Sequence, residues 1–151
     1  MIQIKLLRNL GEDRIMISVI DTNILLDIFL PDPLHGESSL KLLETAYEQG
    51  SLIICDIVYA ELAPQFDKKA LLDESLNKMG IKIVPSDTDT LYKAGQLWLR
   101  YRKQQNSSDR IIPDFIIGSF AIVHGDRLIT RDRGFYRDYF KGLRITNLEQ
   151  V

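Results

Sequence analysis

Short β-branched runs alternate with longer helix-period stretches along this chain, and that alternation limits the possible folds more than any other feature. The runs are Met16-Ile17-Ser18-Val19-Ile20, Leu52-Ile53-Ile54-Cys55, Ile81-Lys82-Ile83-Val84 and Arg127-Leu128-Ile129-Thr130, with Leu143-Arg144-Ile145-Thr146 as a candidate last strand. Strands separated by helices pair in parallel through crossovers, so the pattern predicts an α/β fold with a parallel sheet. The intervening helices have readable ends. Pro31 and Pro33 stop one that follows Asp21, and Gly50 stops a second over 37–49. Asp56 is placed to cap a third, and a fourth runs from near Asp67 to Gly80. Ser86 or Asp87 caps a long helix to about Lys103. A polar loop then leads to Pro113, which opens a helix through Val123.

The 151 residues fit one domain, read as 16–151 after an N-terminal extension, 1–15, that fits the scheme poorly. With 45% apolar and 26% charged residues, disorder is not expected. One cysteine and two histidines exclude a disulfide framework, a cysteine-rich zinc module and a histidine-rich metal site. No apolar run approaches a membrane span and no signal-peptide core is visible, so a cytoplasmic protein with no membrane partner is expected. Charge is unevenly divided. Residues 1–92 carry 8 Lys/Arg against 15 Asp/Glu, and residues 93–151 carry 11 against 6. Solvated helix faces explain this simply, but an acidic floor beneath a basic rim would also suit a site for cations and polyanions.

In open parallel sheets, sites form where strand C-termini meet helix starts. Asp21 ends the first strand, Asp132 follows the fourth by two residues, and Asp114 lies in the first turn after Pro113. Any of these three can be an ordinary helix cap. Glu61 is harder to dismiss, because Asp56 already serves the start of its helix and no acid or base stands at i+3 or i+4. Four carboxylates sharing one small volume would repel one another unless a cation lay among them. Oxygen-only ligand sets select hard ions such as Mg²⁺, with Mn²⁺ as a substitute.

These residues resemble a known family. Val19-Ile20-Asp21-Thr22-Asn23, Tyr59-Ala60-Glu61-Leu62 and the block PDFIIGSFAIVHGDRLITRDRGF are similar, in order, to the acidic motifs of PIN domains, most closely VapC-type toxin ribonucleases. The resemblance spans about residues 16–148. It implies a three-layer α/β/α sandwich around a mostly parallel sheet of about five strands. It also implies a Mg²⁺- or Mn²⁺-dependent endoribonuclease, often the toxin of a toxin–antitoxin pair. Carried over by position, Asp21, Glu61, Asp114 and Asp132 become the catalytic, metal-binding acids. Thr130 becomes a polar pocket residue and Asn23 an orienter behind the acids. Gly118-Ser119 departs from the more usual alanine.

RNA would need cationic guidance. Arg131 and Arg133 flank Asp132, and Arg100, Arg102 and Lys103 end the long helix before a loop holding Asp109 and Arg110. Tyr136, Tyr139 and Phe140 can stack on bases, although core closure is the better expectation for them. Asp27, four residues after Asn23, can face the same pocket, although a solvated helix face is the better expectation; Cys55 reads as packing, His124 as a helix C-terminal residue and Trp98 as part of a buried stripe. The Leu- and Ile-rich helices over 24–30 and 37–49 suit either burial or a surface for an antitoxin or a homodimer. The competing functions are a non-catalytic RNA-binding or scaffold domain whose acids merely cap helices, and a phosphatase on a doubly wound sheet. The phosphatase requires Asp two residues after its nucleophilic Asp, and position 23 is Asn.

Overall fold

The computed structural model describes residues 15–104 and 112–146. The extension at 1–14 and the loop containing Asp109 and Arg110 lie outside the described residues. Five strands form one sheet: β1 (Met16–Ile20), β2 (Gly50–Cys55), β3 (Ile81–Val84), β4 (Arg127–Ile129) and β5 (Ile145–Thr146). Their order is β3-β2-β1-β4-β5, and every neighbouring pair is parallel. The helices are α1 (Thr22–Phe29), α2 (Gly36–Gln49), α3 (Asp56–Leu62), α4 (Lys69–Lys78), α5 (Thr88–Gln104), α6 (Ile112–His124) and α7 (Arg133–Tyr139). A 3₁₀ turn at Ala63–Gln65 follows α3. The α/β class, the parallel sheet and all five strands match expectation, within one or two residues at most ends.

Connectivity explains the layers. From β1 the chain steps outward to β2 and β3, then crosses back over β1 to β4 and β5. Right-handed crossovers in opposite directions place α1–α4 on one face and α5–α7 on the other. The central strands are buried on both faces and read as near-continuous apolar runs, with Ile17, Val19 and Ile20 fully buried. The aromatic residues near the C-terminus close the second face. Phe135, Tyr136 and Phe140 are buried among Tyr101 of α5 and Phe115 of α6. Core closure is therefore their observed role. Gly118 on α6 makes room for this cluster, because a Cβ there would stand 2.4 Å from Phe140 Cζ.

The two ends of the sheet are furnished differently. At the N-terminal end, the Arg127 side chain is buried and donates from Nε to Ser18 Oγ at 2.8 Å and from Nη2 to Gln49 Oε1. Beside it the Asp126 carboxylate accepts the Ile17 amide at 2.6 Å. These bonds stitch β1, β4 and α2 together below the core. The proposed acids all lie at the other end.

Two helix contacts refine the sequence reading. Cys55 occupies the cap position of α3, and Asp56 sits in its first turn, where its carboxylate accepts the Ile57 amide at 3.1 Å. His124 ends α6 as expected, and its Nε2 lies 2.7 Å from Asp87 Oδ1 at the start of α5.

Candidate active site

The change of direction in strand order falls between β1 and β4, which is where open α/β sheets place their sites. Register puts Ile20 opposite Ile129, so the next residues, Asp21 and Thr130, emerge side by side from the C-terminal edge. The Asp21 amide donates to the Ile129 carbonyl at 3.0 Å, which prolongs the ladder up to the acid itself.

Asp21 does what an ordinary cap does, and more. Its Oδ1 accepts the Thr22 amide at 2.7 Å at the start of α1. Its Oδ2 accepts the Thr130 hydroxyl at 2.6 Å, with Asn23 Nδ2 at 3.4 Å. The side chain is buried. Burial pushes its pKa from 3.8 up to about 6, against the lowering effect of its bonds from Thr130 and Thr22. The negative charges of Asp114 and Glu61 push in the same direction as burial. Those two acids therefore act on Asp21 from α6 and α3, across both faces of the sheet.

Glu61 is exposed and does not simply face water: the Thr22 hydroxyl donates to its Oε1 at 2.7 Å. Thr22 thus touches Asp21 through its amide and Glu61 through its hydroxyl. Its position beside Asp21 in the first motif is the sequence signal for this role. Asp132 stands at the cap position of α7 without a side-chain capping bond, so capping does not explain it. Its amide donates to Thr130 Oγ1 at 3.0 Å, two hydrogen bonds from Asp21. Asp114 lies half-buried in the first turn of α6.

Asn23 and Thr130 occupy the expected supporting positions. Asn23 Nδ2 approaches Thr130 Oγ1 at 3.4 Å, and Asn23 Oδ1 accepts the Arg131 amide at 3.3 Å. Among the described residues no three acid, imidazole or thiol side chains stand in ready-made ligand geometry. The structure brings Asp21, Glu61 and Thr22 together by hydrogen bonds. It ties Thr130 and Asp132 to Asp21, and it relates Asp114 to Asp21 through charge.

The basic residues divide. Arg100, Arg102 and Arg133 are exposed, with Arg102 stacked over Trp98 at 4.9 Å. Arg131 instead turns inward, placing Nε and Nη2 each 2.7 Å from the two oxygens of Asp27. Asp27 is only 3% exposed, so the expectation of a solvated position fails. A tertiary partner from the β4–α7 loop compensates the charge that would otherwise require water.

Comparison with known proteins places the fold. The PIN domain family model matches residues 18–141. No curated protein matches the chain in sequence. A chain of VapBC2 from Rickettsia felis, solved bound to a DNA fragment from its promoter, is 25% identical with a TM-score of 0.65, covering 87% of this chain and 98% of that one. VapBC-1 from nontypeable Haemophilus influenzae is 19% identical with a TM-score of 0.65, covering 89% and 99%. VapC20 from Mycobacterium tuberculosis, a Sarcin-Ricin loop cleaving toxin, shares the fold at 13% identity and a TM-score of 0.59, covering 84% and 98%. With an all-parallel sheet in this order and a family match over residues 18–141, the chain belongs to the PIN domain family.

Proposed function

We propose that this protein is a metal-dependent endoribonuclease and the toxin of a toxin–antitoxin pair. The observation that carries the reading is Asp21: a buried carboxylate, raised to a pKa of about 6, that feels two further acids and accepts hydrogen bonds on both oxygens. An acid held in that state is poised for a cation, because positive charge would relieve both its burial and its repulsion. The donors are all oxygens, which fits Mg²⁺ or Mn²⁺. Asp21, Asp114 and Asp132 would hold the ion, with Glu61 helping to place it or a second one.

A bound Mg²⁺ would supply Lewis acidity and an activated water for attack on a phosphodiester. The chain's own residues do the rest. Thr130 and the Thr22 amide fix the Asp21 carboxylate. The Thr22 hydroxyl orients Glu61, and Asn23 braces the Thr130 side. Arg133, Arg100 and Arg102 offer exposed cations to the RNA backbone. Attack by water rather than by the ribose 2′-hydroxyl predicts products with 5′-phosphate and 3′-hydroxyl ends.

Support for an antitoxin partner comes from the VapBC complexes among the structural relatives. It also comes from apolar side chains left outside the core around α1 and α2, where Leu34 is 78% exposed and Leu30 and Leu40 lie nearby. The same surface is available for a homodimer.

The lack of a preformed three-acid cluster among the described residues favours a second reading, a PIN-like RNA-binding domain without catalysis. One experiment separates the two. Purified protein and its Asp114→Asn variant are assayed on structured RNA with Mg²⁺, Mn²⁺ or EDTA. Cleavage that needs the metal and fails in the variant supports the nuclease. Equal cleavage under all conditions, or none with a folded protein, rejects it.

A further inference from the structure

We infer that Asp27 and Arg131 form a positioning pair that anchors the 130–132 segment to α1 and so sets where Asp132 stands relative to Asp21. The pair is built with unusual completeness. Asp27 Oδ1 accepts Arg131 Nη2 at 2.7 Å, and Oδ2 accepts Arg131 Nε at 2.7 Å and the Ser39 hydroxyl at 2.7 Å. Ser39 is fully buried, so β4–α7, α1 and α2 meet at one carboxylate. A bidentate guanidinium–carboxylate contact fixes orientation as well as distance, which an apolar contact does not.

Placement gives the pair its consequence. Asn23 and Asp27 are four residues apart on α1 and share a face, and Asn23 Nδ2 also reaches back to Asp21 Oδ2 at 3.4 Å. Arg131 is held at two points on that face: its amide by Asn23 Oδ1 at 3.3 Å and its guanidinium by Asp27. Its chain neighbours are Thr130, which donates to Asp21, and Asp132, whose amide returns to Thr130. Three consecutive residues are therefore pinned, and the middle one is joined to a buried partner of opposite charge. Arg131 keeps about a third of its side chain in solvent, where an ion pair adds little stability, so its return here is geometric. Arg131 accordingly acts through Asp132 rather than through the RNA phosphate.

The effect on metal binding rests on the reading of the acids as a cation site; the anchoring itself does not. The test uses the full chain with Asp27→Asn and the packing-conserving double variant Asp27→Leu/Arg131→Met. In metal-free protein, amide exchange at Arg131 and Asp132 should speed up by about tenfold or more, while Val19 in β1 stays protected. Mn²⁺ affinity, by calorimetry, should fall by about 10- to 100-fold, as when groups that orient metal ligands are removed. RNA cleavage should lose kcat with little change in KM. The double variant decides the matter if Asp27→Asn does not fold. Wild-type exchange at Arg131 and Asp132 in that variant overturns the anchor. A loss confined to KM, with a weaker salt dependence of RNA binding, would make Arg131 an RNA contact and also overturn it. Wild-type protein that takes up no Mn²⁺ would remove the metal reading alone, and the exchange rates would still decide the anchor.

Discussion

Thr130 Oγ1 donates to Asp21 Oδ2 at 2.6 Å although 109 residues separate them in sequence. The same oxygen accepts the Asp132 amide at 3.0 Å. One hydroxyl thus uses its proton on one acid and a lone pair on the backbone of another.

Thr130→Val keeps the shape of the side chain and removes both bonds. Leaving buried partners unsatisfied should cost about 1–3 kcal/mol of stability, measured by denaturant unfolding. Metal-dependent cleavage should fall further than stability does, because the variant loosens Asp21 and Asp132 together. Stability reduced with cleavage unchanged would show that Thr130 supports only the fold.

Asp21 makes stability depend on pH with a definite sign. Its folded pKa is raised from 3.8 to about 6, so the native state favours the protonated form. The contribution is neutral below about pH 4, worsens as pH rises through 6, and reaches about 3 kcal/mol of destabilisation above that. Metal-free Asp21→Asn should therefore be more stable than wild type at pH 7 and similar to it at pH 3.5. Added Mn²⁺ should raise the wild-type melting temperature and leave that of the variant unmoved. Parallel melting curves at the two pH values check both statements.

Gly118→Ala tests how the second face closes. The new Cβ would meet the Phe140 ring at 2.4 Å, and Phe140 is buried with neighbours on several sides. Overpacking of this kind costs about 1–3 kcal/mol. The outcome expected in thermal unfolding is a clear loss of stability, in contrast to the usual gain from Gly→Ala in a helix.

Arg100→Ala combined with Arg133→Ala should weaken RNA binding across sequences. For every phosphate that the variant no longer neutralises, the slope of log affinity against log salt should fall by about 0.7 on a single strand. An unchanged slope would place the RNA on another surface.

Much of this architecture is legible in the sequence because buried parallel strands must be apolar on both sides and the helices between them end at proline or glycine. Asp21, Asp114 and Asp132 are legible as strand-end or helix-start acids, and Glu61 as an acid that no helix start explains. What separates a cap from a ligand is not local. Asp21 caps α1, and only Thr130 and the charges of Asp114 and Glu61 point to the second role proposed for it. Asp27 illustrates the limit more sharply. A lone acid on a helix ordinarily faces water, and the partner that reverses this expectation lies 104 residues away. Gly118 is similar: the residue is visible, but the reason for it, the Phe140 ring, is a fact of packing.

The polar stitching beneath the core, where Arg127 joins Ser18 and Gln49 and Asp126 holds Ile17, has an evolutionary corollary. This seam and the candidate acids lie at opposite termini of the same strands. A descendant could exchange acids at the upper rim and still inherit this lower seam intact.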